Sequence, residues 1–156
     1  MPLRIILGLF GTGIVIAYAV ISGLWVNTSG SWYTSLAQPS WQPPPWVFGL
    51  IWPYNLLLLI IAVFGVAVWG SPAGAWTFTA LLGSSVALAL GWAYLFYGPH
   101  HLIGAAICLA LAAALTLPLI VMAWTIRPWL GLILIPYQVW LVLATSLAGW
   151  YAAHST

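Results

Sequence analysis

Residues 102–125 read LIGAAICLALAAALTLPLIVMAWT, 24 residues without a single charge. An α-helix rises about 1.5 Å per residue, so this stretch is long enough to cross a hydrocarbon layer about 30 Å thick. The residues on either side are of turn type: Gly98-Pro99-His100-His101 before it and Arg127-Pro128 after it. Working outward, the same pattern recurs. Apolar stretches cover 3–26, 45–69, 75–97 and 129–154, and turn residues also stand at Gly70-Ser71-Pro72-Ala73-Gly74. A longer polar, proline-rich connection fills 27–44. Together these predict an all-α integral membrane protein, a single domain built as a bundle of five transmembrane helices over 1–156. Short connections predict that sequence neighbours pack antiparallel. No internal repeat supports an inverted-repeat transporter.

Composition leads to the same class. Of 156 residues, 65% are hydrophobic and 1% charged, and the mean hydropathy is +1.14. The charges are Arg4 and Arg127; Lys, Asp and Glu are absent. A soluble domain carries about 25% charged residues, and this chain cannot build that surface. Its net charge of +2 is too small for nucleic acid or a polybasic lipid anchor. The first apolar stretch outruns a signal-peptide core, and no A-x-A-like site follows it before Asn27-Thr28-Ser29. It is therefore expected to stay as a helix. With five spans, Arg4 and Arg127 fall on one side, and the positive-inside rule makes that side, with the N-terminus, cytoplasmic. The 27–44 connection, His100, His101 and His154 then share the opposite face.

The absence of side-chain carboxylates removes paired-acid catalysis, Ser–His–Asp triads and carboxylate metal sites. It also removes Asp/Glu coupling to protons or sodium. Cys108 is alone, so it forms no internal disulfide and reads as a small apolar residue. His100 and His101 are adjacent and would diverge on a helix, which favours a solvated turn over a metal or haem site. No metal site is predicted.

Twelve tryptophans stand out. Trp25, Trp46, Trp69, Trp76, Trp124, Trp129 and Trp150 sit near span ends, as in an aromatic belt. Trp52, Trp92 and Trp140 lie inside their spans. A buried indole needs a partner for its N–H, so these three either pack in the core or line a cavity for a flat apolar ligand. Asn55 and Gln138 lie close to Trp52 and Trp140, and Pro53 and Pro136 lie close to both. A mid-helix proline frees the carbonyl four residues back, and an intramembrane amide faces the bundle. The second and fifth spans thus each bring a proline, an amide and an indole to one place. Small residues recur every fourth position at Gly83/Ala87/Gly91, Gly104/Cys108/Ala112, Ala106/Ala110/Ala114 and Ala144/Ala148/Ala152. Such ridges serve internal packing or a homodimer. Gly8, Gly11 and Gly13 are read as packing glycines.

The segment Trp32-Tyr33-x-x-Leu36-x-x-Pro39-x-Trp41-x-Pro43-Pro44-x-Trp46-Val47-Phe48, followed by Ile51-Trp52, resembles the signature of a known family. This is the tryptophan-rich sensory protein and translocator protein (peripheral benzodiazepine receptor) family. Trp92-Ala93-Tyr94-Leu95-Phe96-Tyr97-Gly98 and Ile135-Pro136-Tyr137-Gln138-Val139-Trp140 extend the match over nearly the whole chain. The resemblance implies a membrane receptor or transporter-like protein that binds porphyrins, such as protoporphyrin IX and haem-related tetrapyrroles. Some members also bind cholesterol or benzodiazepine-type drugs. No cofactor is required, since the porphyrin is the ligand. The implied pocket lies in the bundle under the 27–44 connection. Its lining would draw Tyr33, Trp41 and Pro43 from the connection and Trp52, Trp92, Trp140 and Ala144 from the spans; Asn55 and Gln138 join them as the neighbouring amides. Some bacterial members degrade protoporphyrin in light, which gives an enzymatic alternative with Trp52 and Trp140 as the oxidisable pair. A membrane scaffold acting through partner proteins is a third reading. Family dimers pack through the third span, matching Gly83, Ala87 and Gly91.

The chain departs from the family pattern at several positions. Ala89 and Ala148 stand where many members carry Asn, and Leu56 where Tyr is frequent. The basic loop residues are missing, which leaves few partners for porphyrin propionates. No Lys or Arg follows Arg127, so a cholesterol motif ending in a base is not formed there.

Overall fold

The computed structural model describes residues 2–26, 28 and 30–155; residues 27 and 29 of the predicted connection lie outside them. Among the described residues seven helices follow in order: α1 (Pro2–Trp25), α2 (Ser31–Ser35), α3 (Pro45–Trp69), α4 (Pro72–Tyr97), α5 (Leu102–Ile126), α6 (Pro128–Leu132) and α7 (Ile135–His154). Five apolar helical segments are long enough to cross a membrane, the last being α6 and α7 together. In lipid a backbone must bond its own N–H and C=O groups, and helices do so locally.

The helix starts follow local chemistry. Pro45, Pro72 and Pro128 sit in the first turns of α3, α4 and α6, where a missing N–H costs nothing. Ser71 caps α4 by accepting from the Gly74 N–H at 3.1 Å, and Pro72 extends that helix beyond the predicted start at 75. His101 caps α5, its Nδ1 accepting from the Gly104 N–H at 3.2 Å. In the turn before it, His100 takes a left-handed φ of 56°. The His101 N–H then returns to the Leu95 carbonyl at 2.8 Å.

The sequence reading also differs from the structure in other places. The predicted helix 129–154 is broken at Ile133–Leu134. Pro136 has no N–H to offer the carbonyl of Leu132, and its ring crowds that carbonyl. The Leu134 N–H instead closes a tighter turn onto Gly131, at 3.2 Å. The connection is not wholly irregular, because it contains α2. Sequence neighbours are not always the closest packing partners. α1 packs between α3 and α4, α5 packs between α4 and α7, and α6 and α7 close the ring against α3, while α3 and α4 touch less. The α1–α3 approach depends on glycine: a Cβ at Gly11 would fall 2.5 Å from Val63, and one at Gly8 2.8 Å from Phe64. Gly13, also read as a packing glycine, faces open space.

The bundle has two unlike halves. At one end, Arg4 donates to the Val68 carbonyl near the end of α3, and Trp69 meets Trp129 edge-on at 5.5 Å. Arg127, beside α6, shares that end. Here the interior is solid: Leu7, Leu59, Val63, Leu82, Leu119, Leu130 and Leu134 are at most 1% exposed. α4 and α5 are tied by the buried Ser85 hydroxyl, which donates to the Ala112 carbonyl at 3.0 Å. The other half is rich in aromatics and encloses space.

Candidate functional site

The site begins with the connection, which lies over the open half as a lid. Tyr33 of α2 is buried against Phe96, Tyr97 and Tyr151. Burial pushes its phenol pKa up, partly opposed by the polar groups of Tyr151 and Gln42 beside it, so the hydroxyl stays neutral. Tyr151 donates to Gln42 Oε1, and Gln42 Nε2 donates to the Tyr33 hydroxyl at 3.3 Å. The lid is also held from outside. Trp32 stacks on His100 with centroids 3.7 Å apart. The Trp150 Nε1–H donates to the Ala37 carbonyl at 3.0 Å, and its ring meets Trp41 edge-on at 5.0 Å. His154 stacks on the same indole at 3.6 Å.

Beneath the lid lies a cavity of about 280 Å³. Trp52, Trp92, Trp140, Ala144 and Tyr33 all line it. These come from α3, α4, α7 and α2, four elements that only the fold brings together. Trp52 meets Tyr18 edge-on at 5.2 Å, and Trp140 meets Phe48 edge-on at 5.2 Å. Gly49 also lines the cavity; its carbonyl is the one Pro53 leaves without a helical N–H. A second pocket of about 220 Å³ adjoins under the lid and shares Thr28, Tyr33 and Phe48 with the first.

The remaining sequence-named residues lie elsewhere. Pro43 lines the second pocket. Trp41 is exposed on the outside of the lid, against Trp150. Asn55 is 1% exposed, one turn below Trp52, and lines neither space; its amide has no partner among the described residues. Gln138 also lines neither, and its Oε1 is buried without a partner. Conversely, Tyr18, Phe48, Phe96, Tyr97, Leu147 and Tyr151 line the cavity, although none of them was expected in its lining. Their signal was weak but present: a tyrosine inside an apolar span needs somewhere polar to point.

A bundle of this kind, with its aromatic lid and indole-lined cavity, can be set beside known proteins. The family model described as TspO/MBR matches residues 11–151. The chain belongs to the TspO/MBR family. It is similar to the Rhodobacter capsulatus protein CrtK, 33% identical over 136 residues, which cover 78% of this chain and 77% of the relative. It is 31% identical to the tryptophan-rich sensory protein of Cereibacter sphaeroides, covering 74% of this chain and 72% of the relative. The human translocator protein is also 31% identical, with 74% and 70% covered. As a TspO/MBR member, the chain is a multi-pass integral membrane protein. Ala89 and Ala148, the two alanines singled out in the sequence, have separate places. Ala89 is fully buried in the core, whereas Ala148 adds apolar surface to the cavity wall.

Proposed function

We propose that this chain is a membrane receptor or transporter-like protein that binds porphyrins, including protoporphyrin IX and haem-related tetrapyrroles, and similar flat apolar ligands inside the bundle. The observation that carries the reading is the convergence of Trp52, Trp92 and Trp140 on one uncharged cavity beneath Tyr33. Indole faces stack on extended π systems. At about 280 Å³ the cavity sits near the lower end of the roughly 300–1,000 Å³ range of small-molecule sites. A porphyrin therefore reaches into the adjoining lid pocket as well, and the lid moves to admit it. The porphyrin is the ligand, and the reading requires no further cofactor or metal. The protein is multi-pass, with the arginine end and N-terminus cytoplasmic and the lid on the opposite face. Pairing of two copies runs along Gly83, Ala87 and Gly91, of which Ala87 is exposed. Titration of tryptophan fluorescence with protoporphyrin IX tests the binding reading: saturable quenching supports it, and no quenching above that by detergent-partitioned pigment ends it.

One observation favours a second, enzymatic use of the same site. Trp52 and Trp140 both face the cavity, so an excited pigment held there with dissolved oxygen has two oxidisable indoles at hand. Loss of porphyrin absorbance in light but not in the dark, slowed in Trp52→Phe and Trp140→Phe, is the expected result; equal decay in the variants removes this reading.

A further inference from the structure

The basic side chains of the whole chain are Arg4, Arg127, His100, His101 and His154, with no acidic ones. None of them lines the cavity or the lid pocket. Both arginines stand at the far end, Arg4 being bonded to the Val68 carbonyl. The histidines are on the lid side but occupied otherwise. His101 Nδ1 accepts the Gly104 N–H as a helix cap. His100 lies flat on Trp32 and His154 on Trp150, and His154 Nδ1 is 3.0 Å from the Trp150 carbonyl.

What faces the ligand is therefore uncharged and mostly apolar, with the polar groups gathered at the lid. Along the lid the bonds run in one direction, from the Tyr151 O–H to Gln42 Oε1 and from Gln42 Nε2 to the Tyr33 oxygen. Among the described residues, no acceptor in hydrogen-bond geometry takes the Tyr33 hydroxyl proton, which ends that chain. The Trp92 ring lines the cavity, but its Nε1–H is sealed away from that space, with no partner among the described residues. A neutral ligand that accepts the Tyr33 proton gains a hydrogen bond there. A charge moved to the same place loses its water and meets no opposite charge, a far larger penalty.

We propose that the occupant is a neutral molecule presenting a hydrogen-bond-accepting pole, such as a carbonyl, ester or ring nitrogen, to Tyr33 and Gln42, and that the site discriminates against carboxylates. This rests on the reading of the cavity as a site for flat apolar ligands, and it names their charge and polarity. For a porphyrin, it means that free propionates stay outside the lid or weaken binding.

Two ligand pairs test this in nanodiscs at pH 8, with partition into empty discs subtracted: protoporphyrin IX against its dimethyl ester, and 1-pyrenebutyric acid against its methyl ester. Each ester is expected to bind at least tenfold tighter than its acid. Gln42→Lys should move the acid-to-ester affinity ratio at least tenfold toward the acid; a ratio within one variant is insensitive to the fraction folded. Acids that equal or exceed their esters in the unaltered protein, or a ratio that Gln42→Lys does not move, overturn the proposal. If the pyrene pair shows the preference while neither porphyrin binds, the tetrapyrrole reading fails and the charge inference stands. If both porphyrins bind and the acid is the tighter, the charge inference alone fails.

Discussion

Replacing Trp150 by Phe removes one well-defined element of the lid's attachment. The indole N–H that donates to the Ala37 carbonyl at 3.0 Å is lost, while an aromatic ring remains to meet Trp41 and His154. A neutral hydrogen bond contributes about 0.5–1.5 kcal/mol net. Both groups lie at the rim, where water replaces the missing partner, so about 1 kcal/mol is the expected loss. With tenfold per 1.4 kcal/mol, that is roughly a fivefold rise in the open population of the lid. Two readouts follow. Amide exchange at Thr34, Leu36 and Gln42, whose N–H groups bond within the lid, should quicken about fivefold. Ligand dissociation in stopped flow should quicken by a similar factor if the proposed ligand leaves through the lid. Trp41→Ala, which deletes the edge-on pair, is worth about 0.5–1.5 kcal/mol and should act in the same direction. Faster exchange with unchanged dissociation would show that ligand leaves by another route; no change in either would refute the latch.

Three further outcomes are expected. Trp140→Ala removes an indole from the cavity wall and its contact with Phe48; porphyrin affinity measured by quenching should fall about tenfold, in line with roughly 1–3 kcal/mol per stacked aromatic. Ser85→Ala deletes the buried bond to the Ala112 carbonyl, but Thr116 also donates to that oxygen at 2.9 Å. The loss should therefore stay near the bilayer average of about 0.6 kcal/mol, seen as a small drop in thermal midpoint. Ala87→Leu enlarges an exposed position on the α4 ridge; it should shift a dimer toward monomer in light scattering while leaving the helical circular dichroism unchanged.

The bundle was legible in the sequence because lipid imposes a length and forbids charge. Both constraints act on runs of residues such as 102–125, which need no knowledge of neighbours. Trp52, Trp92 and Trp140 could be picked out by their depth in a span, and all three line the cavity. Depth does not give rotation about the helix axis, however. Asn55 lies one turn from Trp52 yet points into the core, and Gln138 lies two residues from Trp140, on a different face of α7. The break before α7 was implicit in Pro136, but Pro53 leaves α3 continuous. Whether a proline interrupts a helix depends on whether the freed carbonyl and the ring can be accommodated by the surroundings. The lid contacts were hidden for another reason: Trp150 with Ala37, and Gln42 with Tyr151, are each more than 100 residues apart.

If the cavity holds a ligand as proposed, the solid half of the bundle sets the route by which that ligand comes and goes. The cavity ends above a layer of leucines and valines from α1, α3, α4, α5 and the α6–α7 break that admit almost no solvent. The molecule is thus a cup whose mouth is the lid. On that proposal, a ligand entering by the mouth leaves by it, or sideways between helices into the bilayer. Delivery to the arginine end would mean dismantling the best-packed half of the protein on every cycle. Cargo exchange with one face of the membrane needs only the lid to move.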